Sequence, residues 1–267
     1  MSGSSHAQPP ITHIYISPHL DDAVLSCGGR IWQQALSDAR VLVVTVFAAA
    51  PAPSAPLSPF AQSLHRRWGH APDAGLRRQE EDRAALALLG AEALHWPYFD
   101  CIYRTLPDGR FPYDSEESLW GPPHPLEAGL VTELAARLIA LPNTPGGLLV
   151  GPLGVGHHVD HVLVRQALLE SGRPFLCYED YPYAADQQAV KALLGSEGWS
   201  AERVPLSPQA LEAKIAAIAC YRSQISTFWG SLEEMAAQVR AFALAAGDGE
   251  RPAERYWCLA SPCPGAR

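Results

Sequence analysis

Two short clusters of histidine and aspartate contain the residue types in this chain that could do chemistry. The first, His19-Leu20-Asp21-Asp22, directly follows an apolar run that ends at Pro18, and the second, His157-His158-Val159-Asp160-His161, follows another apolar run. Imidazoles and carboxylates are the usual protein ligands of catalytic zinc and the usual general acids and bases. Together the two clusters predict a metal site, which neither cluster would establish alone.

Three of these residues form a ligand set typical of catalytic zinc, which commonly has three protein ligands and one water whose pKa it lowers towards about 7. We predict that His19, Asp22 and His161 bind one Zn²⁺ per chain, although another divalent metal would suit the same groups. In a short loop that leaves a strand, neighbouring side chains point apart, so Asp21 need not bind the metal. We predict that Asp21 is the general base for the attacking water.

The second cluster holds further groups with catalytic potential. His158 and His161 are three residues apart, so they share a face if a helix begins here. Asp160 lies between them and could fix the tautomer of a neighbouring imidazole by accepting its N–H. We predict that His158 either protonates a leaving amine or stabilises an oxyanion, that Asp160 belongs to the catalytic group, and that His157 is structural.

Each cluster alone also has a simpler interpretation. A His-x-Asp-Asp loop is often a helix N-cap beside a solvated histidine. The run Cys27-Gly28-Gly29 raises a nucleotide-binding module as an alternative, but no G-x-G-x-x-G follows the first strand, and carboxylates stand where a pyrophosphate would bind. A metal-binding scaffold without turnover is a further alternative, against which the additional carboxylate of Asp21 argues.

Strand-like and helical patterns alternate along most of the chain. Apolar runs typical of strands occur at 12–17, 41–47, 93–96, 147–151 and 174–178, and helical patterns occur at 22–36, 76–90, 126–141 and 160–170. This alternation favours an α/β domain with a mainly parallel sheet, in which ligands bind beyond the carboxyl ends of the strands. Two further helical patterns, at 207–225 and 231–245, predict a C-terminal helical cap on the sheet.

The length of 267 residues suits one large domain, and we predict a single domain over 1–267 with residues 1–10 disordered. Two segments, 48–75 and 103–125, are too long for simple connectors in a compact domain. Both are expected at the rim where the loops after the strands gather, and there they could act as lids.

The composition argues against several classes of function. The formal net charge is −8 and no block of like charges occurs, which argues against nucleic-acid binding. The chain begins without the basic and apolar regions of a secretory signal, and it has no uncharged apolar stretch of about 18 residues that could span a membrane. The six cysteines lack CxxC pairs, so we predict reduced thiols in a cytoplasmic protein. The sequence leaves open whether the chain forms a homo-oligomer.

The two clusters resemble the signature motifs of the LmbE-like, or PIG-L, family of zinc-dependent N-deacetylases. The family carries (P/A)-H-x-D-D after the first strand and H-x-D-H after a later one, here Pro18–Asp22 and His158–His161. The chain departs from the usual first motif at Leu20 and Ala23, which are neither ligands nor the base. The resemblance implies a Rossmann-like three-layer α/β fold. It also implies a zinc-dependent hydrolase that removes an N-acetyl group from an N-acetylglucosamine-type substrate, releasing acetate and a free amine.

Further segments resemble parts of the family's substrate pocket. Arg78-Gln79-Glu80-Glu81 resembles its R-x-x-E helix, although Arg77 and Glu80 have the same spacing, and a solvated surface helix would also explain these charges. The resemblance assigns substrate binding to five residues: Arg78, Asp100, Glu179, Tyr183 and Gln224. The expected partner is therefore a small acetylated amino sugar or a conjugate of one.

The zinc chemistry does not by itself define which amide is cleaved. A metal-dependent amidase that acts on a thiol or sugar conjugate is one alternative, and a catalytically inactive sugar-binding protein is another. Specificity is expected to come from the two rim segments, 48–75 and 103–125, whose aromatic residues suit stacking on a sugar.

Overall fold

The computed structural model describes residues 10–37, 39–69, 73–195 and 198–259. The predicted disorder of residues 1–10 concerns a segment that, apart from Pro10, lies outside these residues. The single domain over 1–267 likewise stays a prediction.

One mostly parallel sheet forms the centre of the fold. Its strands, in chain order, are β1 (Ile11–Ser17), β2 (Arg40–Thr45), β3 (Glu92–His95), β4 (Leu148–Pro152), β5 (Leu176–Tyr178), β6 (Ser200–Pro205) and β7 (Ala253–Cys258). Within the described residues the sheet is seven-stranded, with the order β3-β2-β1-β4-β5-β7-β6. The first five strands pair in parallel, whereas β7 is antiparallel to both β5 and β6. The α/β class with a mainly parallel sheet is therefore confirmed.

Helices cover both faces of this sheet. They are α1 (Asp22–Leu36), α2 (Pro59–Arg67), α3 (Ala74–Leu88), α4 (Ala128–Ala140), α5 (Val159–Glu170), α6 (Gln187–Leu194), α7 (Pro208–Ile218), α8 (Arg222–Phe228) and α9 (Leu232–Ala246). The helix predicted over 207–225 is divided into α7 and α8.

Alternation of side chains along the strands builds two cores. Tyr15 of β1 and Val43 of β2 face one side, where they join a core with residues of α1, α3, α7 and α9. Ile14 and Ile16 of β1 face the other side, where they pack with residues of α4 and α5. Successive strand residues point to opposite faces, so one apolar run serves both cores. The result is three layers, with the C-terminal helices covering one face of the sheet.

The two rim segments pack against each other above the carboxyl ends of the strands. The first segment contains α2, which begins after Ser58, whose side chain accepts a hydrogen bond from the backbone N–H of Ala61. Leu64 and Trp68 from this segment share a small core with Tyr113 from the second segment. The segments predicted as lids thus form one packed wall beside the site described below.

Across the described stretches of chain, no helix is both long and apolar enough to cross a membrane. Among the cysteines that the structure describes, Cys27, Cys101, Cys177 and Cys220 are free thiols. Cys258 is disulfide-bonded, so the prediction that every cysteine is reduced is wrong for that residue.

Candidate metal centre and substrate pocket

The two clusters meet where the strand order reverses. β1 and β4 are neighbours, and the chain continues from β1 towards one edge of the sheet and from β4 towards the other. In open α/β sheets this switch point is the usual place for a ligand. His19 follows β1, and its ring centroid lies 4.8 Å from that of His158 and 5.3 Å from that of His161, which both follow β4. The structure therefore brings the two clusters into one site.

Asp22 lies between the two histidines predicted to share a metal with it. Its Oδ2 atom is 3.3 Å from His19 Nδ1 and 3.3 Å from His161 Nε2. Ligand atoms around a tetrahedral zinc ion, with bonds of about 2.0–2.1 Å, lie about 3.4 Å apart. All three side chains belong to residues that are at least nine-tenths buried. The donor types and their spacing fit a catalytic divalent metal.

Hydrogen bonds select which nitrogen of each histidine faces Asp22. His19 Nε2 lies 3.0 Å from Asp160 Oδ2, and His161 Nδ1 lies 2.7 Å from Asp180 Oδ1. A carboxylate accepts, so these two ring nitrogens carry the protons. The opposite nitrogens are therefore the ones that can bind a metal once they have lost their protons.

The two orienting carboxylates are themselves held by other groups. Asp160 is fully buried, accepts a hydrogen bond from the backbone N–H of Cys101 at 3.0 Å, and pairs with Arg104 at 2.7 Å. Asp180 accepts two backbone N–H groups from the loop after β4, at 2.7 and 3.0 Å. Asp160 lies within the second cluster but orients His19 of the first, so it joins the two clusters across the site.

Carboxylates around His19 and His161 favour the protonated form of both imidazoles. Burial alone would lower the pKa of His19, but Asp100, Asp160 and Asp22 together raise it well above its usual value. Burial likewise opposes protonation of His161, yet its carboxylate neighbours, foremost Asp22, raise its pKa to about 9. Protons therefore occupy these rings near neutral pH, and a metal ion must displace them.

Asp21 occupies an unusual position at the start of α1. It is the N-cap residue, but its side chain makes no capping hydrogen bond, and its φ of 153° is a strained value that costs on the order of 1–3 kcal/mol. Burial, followed by the charge of Asp22, raises the pKa of Asp21 to about 8, whereas Arg78, 3.8 Å away, opposes this rise. The simple helix-cap interpretation is wrong, because this carboxylate makes no capping hydrogen bond and instead lies beside Asp22 and Arg78.

His158 is poised as a neutral hydrogen-bond donor. Its Nδ1 accepts a hydrogen bond of 3.3 Å from the backbone N–H of Asp160, which leaves the ring proton on Nε2. Burial, followed by the nearby His19, lowers the pKa of His158 well below its usual value. A neutral imidazole favours stabilisation of an oxyanion over protonation of an amine. His158 also places a nitrogen within 4.8 Å of one in His19 and one in His161, which makes it the alternative third ligand.

A cavity of about 230 Å³ opens onto these groups. Four of the five residues predicted to bind substrate line it, namely Arg78, Asp100, Tyr183 and Gln224. The rest of the wall is largely apolar and aromatic: Leu64, Trp68, Ile102, Leu119, Trp120 and Phe228. The cavity therefore combines convergent polar groups with apolar faces, as small-molecule sites usually do.

The structure distinguishes the two registers of the arginine motif. Arg78 is buried; its guanidinium lies 3.7 Å from Asp100 and stacks over the ring of Trp68 at 4.7 Å. The Arg77 side chain is 53% exposed and pairs with Asp73 at the protein surface. Of the two arginines that fit the motif, Arg78 is therefore the one that lines the cavity.

Glu179 is the one predicted substrate-binding residue that the structure places elsewhere. Its carboxylate accepts hydrogen bonds from Arg255 at 2.6 and 3.0 Å and from the indole of Trp257 at 2.8 Å. These partners belong to β7, so Glu179 joins β5 to its antiparallel neighbour. The carboxylate that serves the site is the next one in the chain, Asp180.

Sequence reasoning also missed two tryptophans of the cavity wall. Trp68 follows α2, and Trp120 lies in the second rim segment, where its ring packs edge-on against His158 at a centroid distance of 5.4 Å. The aromatic content of the rim segments pointed towards such residues but not to their positions.

A comparison with protein-family models assigns the chain to a family. The model for PIG-L, described as GlcNAc-PI de-N-acetylase, matches residues 14–171. The chain belongs to this family, in agreement with the resemblance of its two motifs.

Named relatives point in the same direction. A 2'-N-acetylparomamine deacetylase of Streptomyces fradiae is 32% identical over 66% of this chain, and the alignment spans 59% of that enzyme. One from Niallia circulans is 28% identical over 83% of each chain. The fold is also similar to the crystal structure of the zinc inhibited form of teicoplanin deacetylase, with a TM-score of 0.81. The two sequences are 33% identical, and the match covers 94% of this chain and 99% of the teicoplanin deacetylase chain. These relatives are deacetylases, which are hydrolases of amide bonds, as the sequence predicted for this chain.

Proposed function

We propose that this protein is a zinc-dependent hydrolase that removes the N-acetyl group from an amino sugar of the N-acetylglucosamine type. The observation that carries the proposal is the position of Asp22 Oδ2, 3.3 Å from both His19 Nδ1 and His161 Nε2, with the carboxylate of Asp21 beside it and not engaged in capping the helix. Zinc would polarise the amide carbonyl and lower the pKa of a water there.

The ligand set is best assigned to His19, Asp22 and His161. The two equal distances from Asp22 match the edges of a tetrahedral site, and Asp160 and Asp180 orient the two histidines for it. His158 is then free for substrate, which suits its neutral ring.

The protein's own groups account for the proton transfers. Asp21 takes a proton from the water whose oxygen bonds to the amide carbon. His158 Nε2–H donates to the carbonyl oxygen as that oxygen gains negative charge. The C–N bond then breaks, Asp21 returns the proton to the leaving nitrogen, and the products are acetate and the free amine.

The cavity wall supports an amino sugar as the substrate. Arg78, Asp100 and Gln224 offer hydrogen-bonding groups for ring hydroxyls, and aromatic side chains provide faces for the apolar side of the ring. Trp120 is 37% exposed at the cavity and so extends the apolar surface towards solvent. The relatives are named for 2'-N-acetylparomamine and teicoplanin, and we propose that here too the amino sugar is carried by a larger molecule.

Metal analysis of the purified protein followed by an assay for released acetate tests this function. The substrates are N-acetylglucosamine, its methyl glycoside, 2'-N-acetylparomamine and teicoplanin. One bound metal per chain with release from at least one of these amides supports the proposal. Bound metal without release would instead support the inactive sugar-binding alternative, and absence of both metal and release would overturn the whole assignment.

A further inference from the structure

A chain of hydrogen bonds links α3 to the part of α8 that lines the cavity. The carboxylate of Glu81 accepts two hydrogen bonds from Ser223, one from its backbone N–H at 3.0 Å and one from its hydroxyl at 2.5 Å. Ser223 is 1% exposed, and the next residue, Gln224, is 5% exposed and lines the cavity. α3 also carries Arg78, so one helix both lines the cavity and holds α8, another part of its wall.

These hydrogen bonds determine the orientation of the Gln224 amide. A serine hydroxyl has a single proton to donate, and here it is donated to Glu81. Towards Gln224 the same hydroxyl can only accept, and Gln224 Nε2 donates to it at 3.1 Å. The carbonyl oxygen, Gln224 Oε1, is therefore turned away from Ser223, and among the described residues it has no hydrogen-bond partner.

We infer that Glu81 and Ser223 are positioning residues that make Gln224 a hydrogen-bond acceptor for one hydroxyl group of the substrate sugar. The inference rests on the proposed function and adds the polarity of the contact, that is, which partner donates the hydrogen bond and which accepts it. A site that presents a fixed acceptor favours a substrate with a donor at that place and discriminates against one that has only an acceptor there.

Replacing Glu81 by glutamine should reverse this polarity. The introduced carboxamide can accept from the Ser223 backbone with its oxygen and donate to the Ser223 hydroxyl with its nitrogen. The hydroxyl proton then turns towards Gln224, whose amide must rotate and present its NH₂ group to the cavity. The effect on recognition therefore exceeds the loss of a charge.

Substrates in which fluorine replaces one hydroxyl test this polarity, because fluorine can accept but cannot donate. The probes are the methyl glycoside of N-acetylglucosamine and its 3-, 4- and 6-deoxyfluoro analogues. For the wild type, one analogue should lose about tenfold in kcat/KM relative to the parent glycoside. In Glu81→Gln and Gln224→Met that loss should shrink to less than about twofold. For both variants KM for the parent should rise while kcat changes little.

Glu80→Gln is the matched control, since Glu80 is the adjacent acid, its side chain is 64% exposed and it pairs with Arg77. This variant should keep the wild-type profile. Thermal unfolding checks that each variant is folded. If Glu81→Gln does not fold, Ser223→Ala removes the same hydrogen bonds through the serine hydroxyl and should also abolish the selective loss.

Identical fluorine profiles in the wild type, Glu81→Gln and Ser223→Ala would overturn the inference while leaving the proposed function intact. A Glu80→Gln variant that also loses the selectivity would overturn it as well. Failure of the wild type to release acetate from the parent glycoside would overturn the inference, and failure on all four amides of the function assay would contradict the proposed function on which it rests.

Discussion

His19 and Asp160 lie 141 residues apart in the sequence, yet His19 Nε2 donates a 3.0 Å hydrogen bond to a carboxylate oxygen of Asp160. The bond holds the other ring nitrogen towards Asp22. Arg104, which pairs with the second oxygen of Asp160 at 2.7 Å, keeps that carboxylate ionised and in place. A residue of one motif thus orients the proposed metal ligand of the other.

Replacing Asp160 by asparagine should weaken metal binding. The neutral amide is a poorer acceptor for His19 and loses the ion pair with Arg104, and such orienting partners typically contribute 10–100-fold in metal affinity. We expect a fall of about that size in a chelator-competition titration. Asp108→Asn is the control, because Asp108 pairs with Arg110 at the surface, away from these groups. Unchanged affinity in Asp160→Asn would show that the hydrogen bond does not support the ligand.

Asp21→Asn should separate catalysis from metal binding. The side chain of Asp21 is assigned to the base and not to the metal, so the variant should retain one metal per chain while kcat falls by about 10²–10⁴-fold. Acetate release and metal content measured on the same sample check both halves. Turnover within threefold of the wild type would exclude Asp21 as the base.

Metal affinity should increase with pH across the neutral range. The pKa of His161 is raised to about 9 in the metal-free protein, so below that pH a proton occupies the site and competes with the metal. For each proton displaced, affinity should rise about tenfold per pH unit until pH 9 is approached. Calorimetric titrations between pH 6 and pH 8 measure this slope. A flat profile would mean that His161 does not release a proton on binding.

His13 should make the fold less stable in mild acid. Burial, followed by the positive charge of Arg30, lowers the pKa of His13 to about 4, whereas an unfolded histidine titrates near 6.5. Between these values the unfolded chain binds more protons, so this contribution to stability is complete above pH 6.5 and declines as the pH falls towards 4.

Urea unfolding at several pH values measures the effect of His13. The wild type should lose more stability than His13→Gln between pH 6.5 and 4. Parallel pH dependence in the two proteins would remove His13 as the cause.

Much of the fold was accessible to sequence reasoning because its strands are apolar and its helices are regular. The predicted helix at 22–36 coincides with α1, since an apolar face begins directly after the His19–Asp22 loop. β6 and β7 were not predicted. The six residues of β6, Ser-Ala-Glu-Arg-Val-Pro, alternate between half-buried and exposed positions, and their mixed polarity does not suggest a strand. Only pairing with β7 makes it one.

The candidate site shows a similar division. The motifs identified His19, Asp22 and His161, because clustered imidazoles and carboxylates are rare outside such sites. Choosing between Glu179 and Asp180 required the structure, since neighbouring residues at a strand end point in opposite directions and sequence alone does not tell which faces the cavity. Trp68 and Trp120 reach the cavity only through the packing of two distant segments.

The most direct test titrates metal-free protein with zinc and records acetate released from an N-acetylated amino sugar. We expect no release without metal, full release at one equivalent per chain, and no release by His161→Ala at any equivalent. Equal release by the metal-free protein, or by His161→Ala, would contradict a metal-dependent reaction at this site.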